Sequence, residues 1–395
     1  MRLGIDARPL QHETQFRGIG KSLEFFLIAL KGELEPGDEL VFYLDEGLPR
    51  PELLKIFPDS TSKAIPTARL GQRRYFRSFL SSFRPINPPK GEIDVLLQYD
   101  ATFGIPRKVP SVVVFHDLIP YLFRGQEKQR SRKGLKKTKD DLAREMYWRK
   151  YLRTLDTYQY ASRLIAISES SKKDLLKHIK GVKSSDITVI PHGVSLPAVK
   201  GRPSSAVKKL AEEPYLFYVG GIDLRKNIVG LLKTFYELKN KYPDLRLVMA
   251  GKEFGLSDQL DSLGWFEVFN SRPAYAKDVI FPGFISSADL NYFYEHARAF
   301  VLTSRYEGFG MPVLEAMSAG CPVVAYDNSS IPEVAGDAVL LIKDGESLAP
   351  AVEKLLKNPK LRAELARKGK KQAAKFRWDV TVTETLKLLR SLKAK

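Results

Sequence analysis

Two glutamates with seven residues between them, Glu307 and Glu315 in TSRYEGFGMPVLEAMSAG, stand where this chain of 395 residues most plainly offers chemistry. Gly308 and Gly310 permit an unusual backbone path, and Pro312 suits the first turn of a helix. Amides at such a helix start, here those of Gly308, Phe309, Gly310 and Met311, can receive phosphate or sugar oxygens. The carboxylates accept from hydroxyl groups of sugar and ribose. The plainer reading is that acidic residues are favoured near a helix N-terminus by its dipole; the neighbouring glycines weigh against it. A second segment, YVGGIDLRKN, joins Gly220 and Gly221 to the cations Arg225 and Lys226 just ahead of a helix starting near Ile228. Glycines let the backbone approach a ligand, and the cations suit a diphosphate. A glycine turn followed by surface charge is the alternative.

Both segments follow short apolar runs, and such runs recur along the chain. LGID at the start is followed by a turn, RGIG (residues 17–20), and by Ile19, Leu23, Phe26, Leu27 and Leu30 at helical spacing. Runs at 40–44, 94–99, 111–116, 163–168 and 187–190 predict further strands. After a loop rich in Pro, Gly and Lys, at about 195–214, a second series occupies 215–221, 245–251, 279–283, 299–304, 322–326 and 338–342. Continuous apolar strands alternating with helices indicate parallel sheets covered on both faces. The expected domains are two Rossmann-like units, 1–200 and 201–375. A helix at 376–395, with Val382, Leu386, Leu389 and Leu392 on one face, is expected to pack back on the first. In open parallel sheets, ligands sit beyond the C-terminal strand ends, where both chemical segments fall.

EGFGMPVLE, followed by AMSAGCPVVAYDNSSIPEVAGDA, resembles the donor-site signature of retaining family 4 glycosyltransferases. The resemblance implies an α/β GT-B fold, two doubly wound Rossmann-like domains facing a central cleft, with 1–200 the acceptor-binding domain and 201–375 the nucleotide-sugar-binding domain. It implies that Lys226 binds the donor diphosphate, that Glu307 meets the sugar and that Glu315 meets the nucleotide ribose. Many members carry an arginine just after the first glycine of the strand-end motif, where this chain has Gly221; Arg225 is expected to supply that contact. FPGFIS, with Gly283 and Phe284, resembles the segment whose backbone reads the base. Gly18 and Gly20 of RGIG resemble the glycine loop near donor phosphate and sugar, a simple tight turn being the alternative. In VVVFHDLIP, His116 matches the histidine that faces the donor sugar and the acceptor. His116, Lys226 and Glu307 are thus the catalytic candidates. His192 is read as a hinge-side turn residue, and His12, His178 and His296 stay unassigned.

Glycosyl transfer from such a donor expels a diphosphate, so stabilising its charge is the main task. No Asp-x-Asp pair or His cluster suggests a metal site, and no cofactor is expected beyond a nucleotide-diphosphate sugar as co-substrate. The resemblance implies retention of configuration, with the leaving phosphate taking the acceptor proton. The opening GIDARPL and RGIG look like mannosyltransferases of surface-polysaccharide assembly, which makes GDP-mannose the preferred donor over UDP-hexoses or dTDP-rhamnose. The competing readings are a nucleotide-sugar 2-epimerase of the same fold and a catalytically silent nucleotide-sugar-binding scaffold.

A formal charge of +18 suits nucleic acid, anionic membrane or phosphorylated ligands alike. Nothing resembles a zinc-ligand spacing, an RNA-recognition signature or a helix-turn-helix, so nucleic acid is not an expected partner. Twelve basic residues against four acids between Arg124 and Arg153, and the arginine-aromatic segment at 71–84, predict attachment to an anionic membrane surface and a lipid-linked oligosaccharide acceptor. Solvated helix faces are the alternative. Without a signal-peptide pattern or a membrane-length apolar run, a cytoplasmic, peripheral location at the inner face of the membrane is expected. The single cysteine, Cys321, is read as core.

Overall fold

The structure is a computed structural model that describes residues 1–12, 15, 18–65, 85–100, 104–124, 139–194, 201–251 and 265–393. The chain divides into two compact units, one of residues 1–117, 134–193 and 377–395, the other of 118–133 and 194–376. Each is built on a single parallel sheet.

The first unit holds β1 (Arg2–Asp6), β2 (Glu39–Asp45), β3 (Thr61–Ile65), β4 (Val95–Gln98), β5 (Ser111–Phe115), β6 (Arg163–Ala166) and β7 (Ile187–Val189). Their order in the sheet is β3-β2-β1-β4-β5-β6-β7. β4 and β5 are buried along their whole length, as strands covered on both faces must be. β3, TSKAI, lies at the sheet edge with most of its residues exposed, and it has no apolar run to announce it. Its Lys63 pairs with Glu92 at 3.2 Å; charge on an edge strand discourages pairing with another chain. Gly18 and Gly20 fall in the first turn of helix α1 (Gly18–Leu30) rather than in a loop before it. Gly18 is exposed and Gly20 buried. Leu23, Phe26, Leu27 and Leu30 turn the same helix inward. Helices α2 (Lys139–Leu155) and α3 (Glu169–His178) follow in this unit.

The second unit holds β8 (Tyr215–Val219), β9 (Arg246–Ala250), β10 (Val279–Ile280), β11 (Ala299–Leu302), β12 (Val323–Tyr326) and β13 (Leu340–Ile342), in the order β10-β9-β8-β11-β12-β13. Its helices include α4 (Ile228–Lys239), α5 (Ser287–His296), α6 (Met311–Ala319), α7 (Ile331–Ala335) and α8 (Pro359–Ala373). Strand order reverses between β8 and β11, which pair directly through Ala299 opposite Leu216. Loops leaving adjacent strands at such a reversal diverge to opposite faces and open a crevice between them.

The last helix, α9 (Trp378–Lys393), belongs to the first unit and buries Val382, Leu386 and Leu389. Each such side chain removed from water contributes on the order of 1.5–3 kcal/mol. Polar contacts set its register: Arg390 donates to Asp38 at 2.8 Å, and Thr383 to Glu33 at 3.0 Å. Segment 71–84 and residues 125–138 of the basic stretch at 124–153 lie outside the described residues, as does Arg17. No described helix is long and apolar enough to cross a membrane.

Candidate active site

The loops that leave β8 and β11, neighbours at the strand-order reversal, carry a cluster of charged side chains, Asp223, Arg225, Lys226 and Glu307. Leaving β8, Gly220 adopts φ 151°, and a Cβ there would meet the Tyr218 hydroxyl at 3.0 Å. The chain then makes a turn of 3-10 helix over Leu224–Lys226 and reaches Asn227 at φ 51°. Asn tolerates this left-handed conformation, and its side chain accepts from the Gly230 amide at 3.3 Å, capping α4. Leaving β11, residues Thr303 to Gly310 lead into α6. Gly310 stands at φ 93°, where a Cβ would come within 2.7 Å of Ile331 Cδ1, so this start requires glycine.

These two loops are stitched together through the main-chain carbonyls of Arg225 and Lys226. The Arg305 amide donates to the Arg225 carbonyl at 2.7 Å, and Thr303 Oγ1 donates to the Lys226 carbonyl at 2.8 Å. The side chains then converge. Glu307 Oε1 accepts from Lys226 Nζ at 2.7 Å and Oε2 from Arg225 Nη1 at 2.9 Å, while Arg225 Nε lies 3.1 Å from Asp223. Glu307 and Lys226 are buried, and Arg225 is partly so. Burial alone would raise the Glu307 carboxyl; Lys226 and then Arg225 outweigh it and hold the group at about 2. The carboxylate is therefore ionised at any physiological pH, with two cations fixed around it.

Glu315 projects from the second turn of α6 in a different setting. Burial pushes its carboxyl up to about 7, against the lowering effect of a 3.1 Å hydrogen bond from the Tyr294 hydroxyl of α5. Two carboxyls eight positions apart thus have opposite electrostatics. Gly308, Phe309 and Gly310 are buried around the turn, the Phe309 ring lies edge-on to Phe376 at 5.8 Å, and Met311 opens α6. Gly283, at φ 72°, and the strongly exposed Phe284 follow β10, on the far side of β9 from the charge cluster. The structure therefore groups Arg225, Lys226 and Glu307 tightly, places Glu315 on the helix that starts beside them, and sets Gly283 and Phe284 apart.

His116 lies in the first unit, at the end of β5. Its Nε2–H donates to the Tyr99 carbonyl at 2.9 Å, which leaves Nδ1 as the acceptor. Burial lowers the ring to about 4 against that hydrogen bond, so it is neutral near pH 7. Its own carbonyl accepts from Ser171 Oγ at 2.8 Å. His192 is buried in the same unit and stacks on Trp378 with ring centroids 5.1 Å apart; it is part of the packing between a turn and α9. Among the described residues there is no group of three or more His, Cys, Asp or Glu poised to hold a metal ion.

Reading the residues alone passed over Tyr294 and the pair Ser329–Ser330. Ser329 Oγ accepts from the Glu307 amide and Ser330 Oγ donates to the Glu307 carbonyl, each at 2.9 Å. Their only mark in the sequence is a run of small polar residues, DNSS, after an apolar strand.

Comparison with known proteins agrees with this layout. The family model described as "Glycosyl transferases group 1" matches residues 203–372, and that described as "Glycosyltransferase Family 4" matches 27–197. The chain is 35% identical over 184 residues to O-antigen chain mannosyltransferase B of Escherichia coli, covering 45% of this chain and 46% of that protein. It is 29% identical over 292 residues to the serotype-specific mannosyltransferase WbdA of Escherichia coli, covering 70% of this chain and 33% of the relative. The aligned regions span less than half the length of these curated relatives. A sucrose-phosphate synthase from Thermosynechococcus elongatus superposes with a TM-score of 0.68 at 17% identity, over 100% of this chain and 99% of that one, which shows the shared fold. With both family models matched and two parallel-sheet α/β units of the GT-B kind, the chain belongs to the family 4 glycosyltransferases.

Proposed function

We propose that this protein is a retaining, metal-independent hexosyltransferase that moves mannose from GDP-mannose to a lipid-linked oligosaccharide in surface-polysaccharide assembly. The observation that carries the catalytic part is Glu307 held between Lys226 and Arg225 at the strand-order reversal of the second sheet. The mannose rests on the similarity to O-antigen chain mannosyltransferase B and the serotype-specific mannosyltransferase WbdA, and the polysaccharide setting on the first of these.

In this reading the acceptor hydroxyl oxygen forms a bond to the anomeric carbon as the bond to the β-phosphate oxygen breaks. The bonding electrons leave with the nucleoside diphosphate, and the hydroxyl proton passes to that departing phosphate. Lys226 and Arg225 stabilise the charge that builds on it, with the amides at the start of α6 adding their dipoles. In the free protein, Glu307 balances the two cations; donor binding shares them with the pyrophosphate and leaves the carboxylate to accept sugar hydroxyls. Glu315 accepts from the ribose, and the Gly283–Phe284 backbone reads the base. In the first unit, His116 offers Nδ1 to a substrate hydroxyl, and the Gly18–Gly20 turn leaves room for donor oxygens.

The test is turnover of GDP-mannose, UDP-glucose and dTDP-rhamnose with a lipid-linked acceptor fraction, in EDTA, with anomeric configuration read by NMR. The reading expects the α-linked sugar of GDP-mannose to appear as an α-linked product, and Glu307→Gln to lower kcat about 10²-fold or more. Inversion, or turnover that EDTA abolishes, would remove the corresponding part of the reading. Formation of an epimer without an acceptor would favour the 2-epimerase. The absence of any turnover lost on Glu307→Gln would favour the scaffold.

A further inference from the structure

The main chain of Glu307 is gripped from both sides by hydroxyls that the proposed chemistry does not use. Ser329 Oγ takes the amide hydrogen of Glu307, and Ser330 Oγ gives its own hydrogen to the Glu307 carbonyl. Ser329 passes its hydrogen to Asn328 Oδ1 at 3.1 Å, and Asn328 Nδ2 donates to the Ser304 carbonyl at 3.1 Å. Three consecutive side chains of the loop after β12 therefore hold the turn at Ser304 and at Glu307, the points where it leaves β11 and where it presents its carboxylate.

Two features set this loop apart from ordinary surface packing. Ser330 is fully buried, so its hydrogen bond is made out of water. Ser329 stands at φ 47°, a left-handed conformation that a non-glycine residue adopts at some energetic cost and that clusters at functional sites. What the loop holds is also unusual. The Glu307 carboxylate is the common partner of Lys226 and Arg225, at 2.7 and 2.9 Å, so a shift of the turn by about 1 Å takes one or both contacts out of hydrogen-bond range.

We propose that Ser329 and Ser330 are positioning residues, which fix Glu307 and through it Lys226 and Arg225 in the arrangement that the departing pyrophosphate requires. The proposal rests on the glycosyltransferase reading above. In this proposal neither serine contacts substrate. Their contribution is preorganisation, and displacements of this size in a reacting constellation are enough to cost rate without abolishing ligand binding.

The variants separate hydroxyl from backbone. Ser329→Gly removes Oγ while easing the left-handed residue, Ser330→Ala removes only the buried donor, and Ser330→Thr restores it. Each full-length variant is assayed for nucleoside diphosphate release from whichever of GDP-mannose, UDP-glucose and dTDP-rhamnose the parent protein turns over fastest. Its crystal structure is determined in parallel. The expected result for Ser330→Ala and Ser329→Gly is a roughly tenfold fall in kcat with donor KM changed less than about threefold, and partial recovery in Ser330→Thr. The crystals should show the Glu307 carboxylate displaced from Lys226. Unchanged kcat in both hydroxyl-deleting variants, while Glu307→Gln abolishes turnover, would overturn the positioning role and leave the glycosyltransferase reading standing. If Glu307→Gln itself turns over normally, or no donor is consumed, the fault lies with that reading. The crystals then decide alone: a carboxylate unmoved in both variants would overturn the proposal. Should Ser330→Ala fail to fold, Ser329→Gly carries the same test.

Discussion

Removing Lys226 would leave the buried Glu307 carboxylate with one of its two cations, Arg225. Breaking one side of a buried ion pair costs about 3–5 kcal/mol, most of it the uncompensated charge, so Lys226→Ala should lower the urea midpoint sharply. Glu307→Gln should restore much of that loss when added to Lys226→Ala, because the stranded charge is gone; a strictly additive double variant would show that the two groups are not coupled. Glu315 gives a pH dependence of opposite character. Its ionised form accepts hydroxyl hydrogens more strongly than the neutral acid, and with the carboxyl at about 7 that form is depleted as pH falls from 8 to 6. Donor KM should therefore rise on acidification and level off above pH 8, and Glu315→Gln should abolish the dependence. A KM that falls as the pH drops would contradict the assignment. The same shift has a stability consequence. A carboxyl raised from an ordinary 4.5 to about 7 adds stability that is complete below 4.5 and is lost as pH rises through 7.

At the scale of elements, the start of α6 decides where the site falls. Gly310→Ala would force a side chain into φ 93° and against Ile331, so a loss of about 1–3 kcal/mol is expected, read as a lower melting temperature. An unaffected melting temperature would mean that the turn relaxes without strain. Much of this scaffold was legible from apolar runs, because strands buried on both faces must be continuously apolar; among the described residues every strand but β3 falls on such a run. β3 escaped because an edge strand needs little burial, and TSKAI carries none of the signal. Pro312 and Gly310 marked the helix start correctly, since each acts through its own backbone. Gly18 and Gly20 were expected in a loop and lie in the first turn of α1, because glycine lowers helix propensity without forbidding a helix end. The grip of Ser329 and Ser330 on Glu307 and the bond from Tyr294 to Glu315 were not legible. Both join residues about twenty positions apart through tertiary packing, and small hydroxyls carry no pattern that betrays their partner.

At the scale of the whole molecule, the charge of +18 is the property most open to experiment. If the basic stretch and the arginine-aromatic segment bind a membrane, the protein should sediment with vesicles rich in anionic lipid at low salt. It should be released at about 1 M salt, where charges are screened within roughly 3 Å; sedimentation that ignores salt would point to apolar insertion instead. The central claim concerns the pyrophosphate. Soaking crystals with GDP should place its β-phosphate within hydrogen-bonding distance of Lys226 Nζ and the Arg225 guanidinium, beside the first turn of α6. A nucleotide found bound elsewhere, with Lys226 and Arg225 still engaged only by Glu307, would contradict the account.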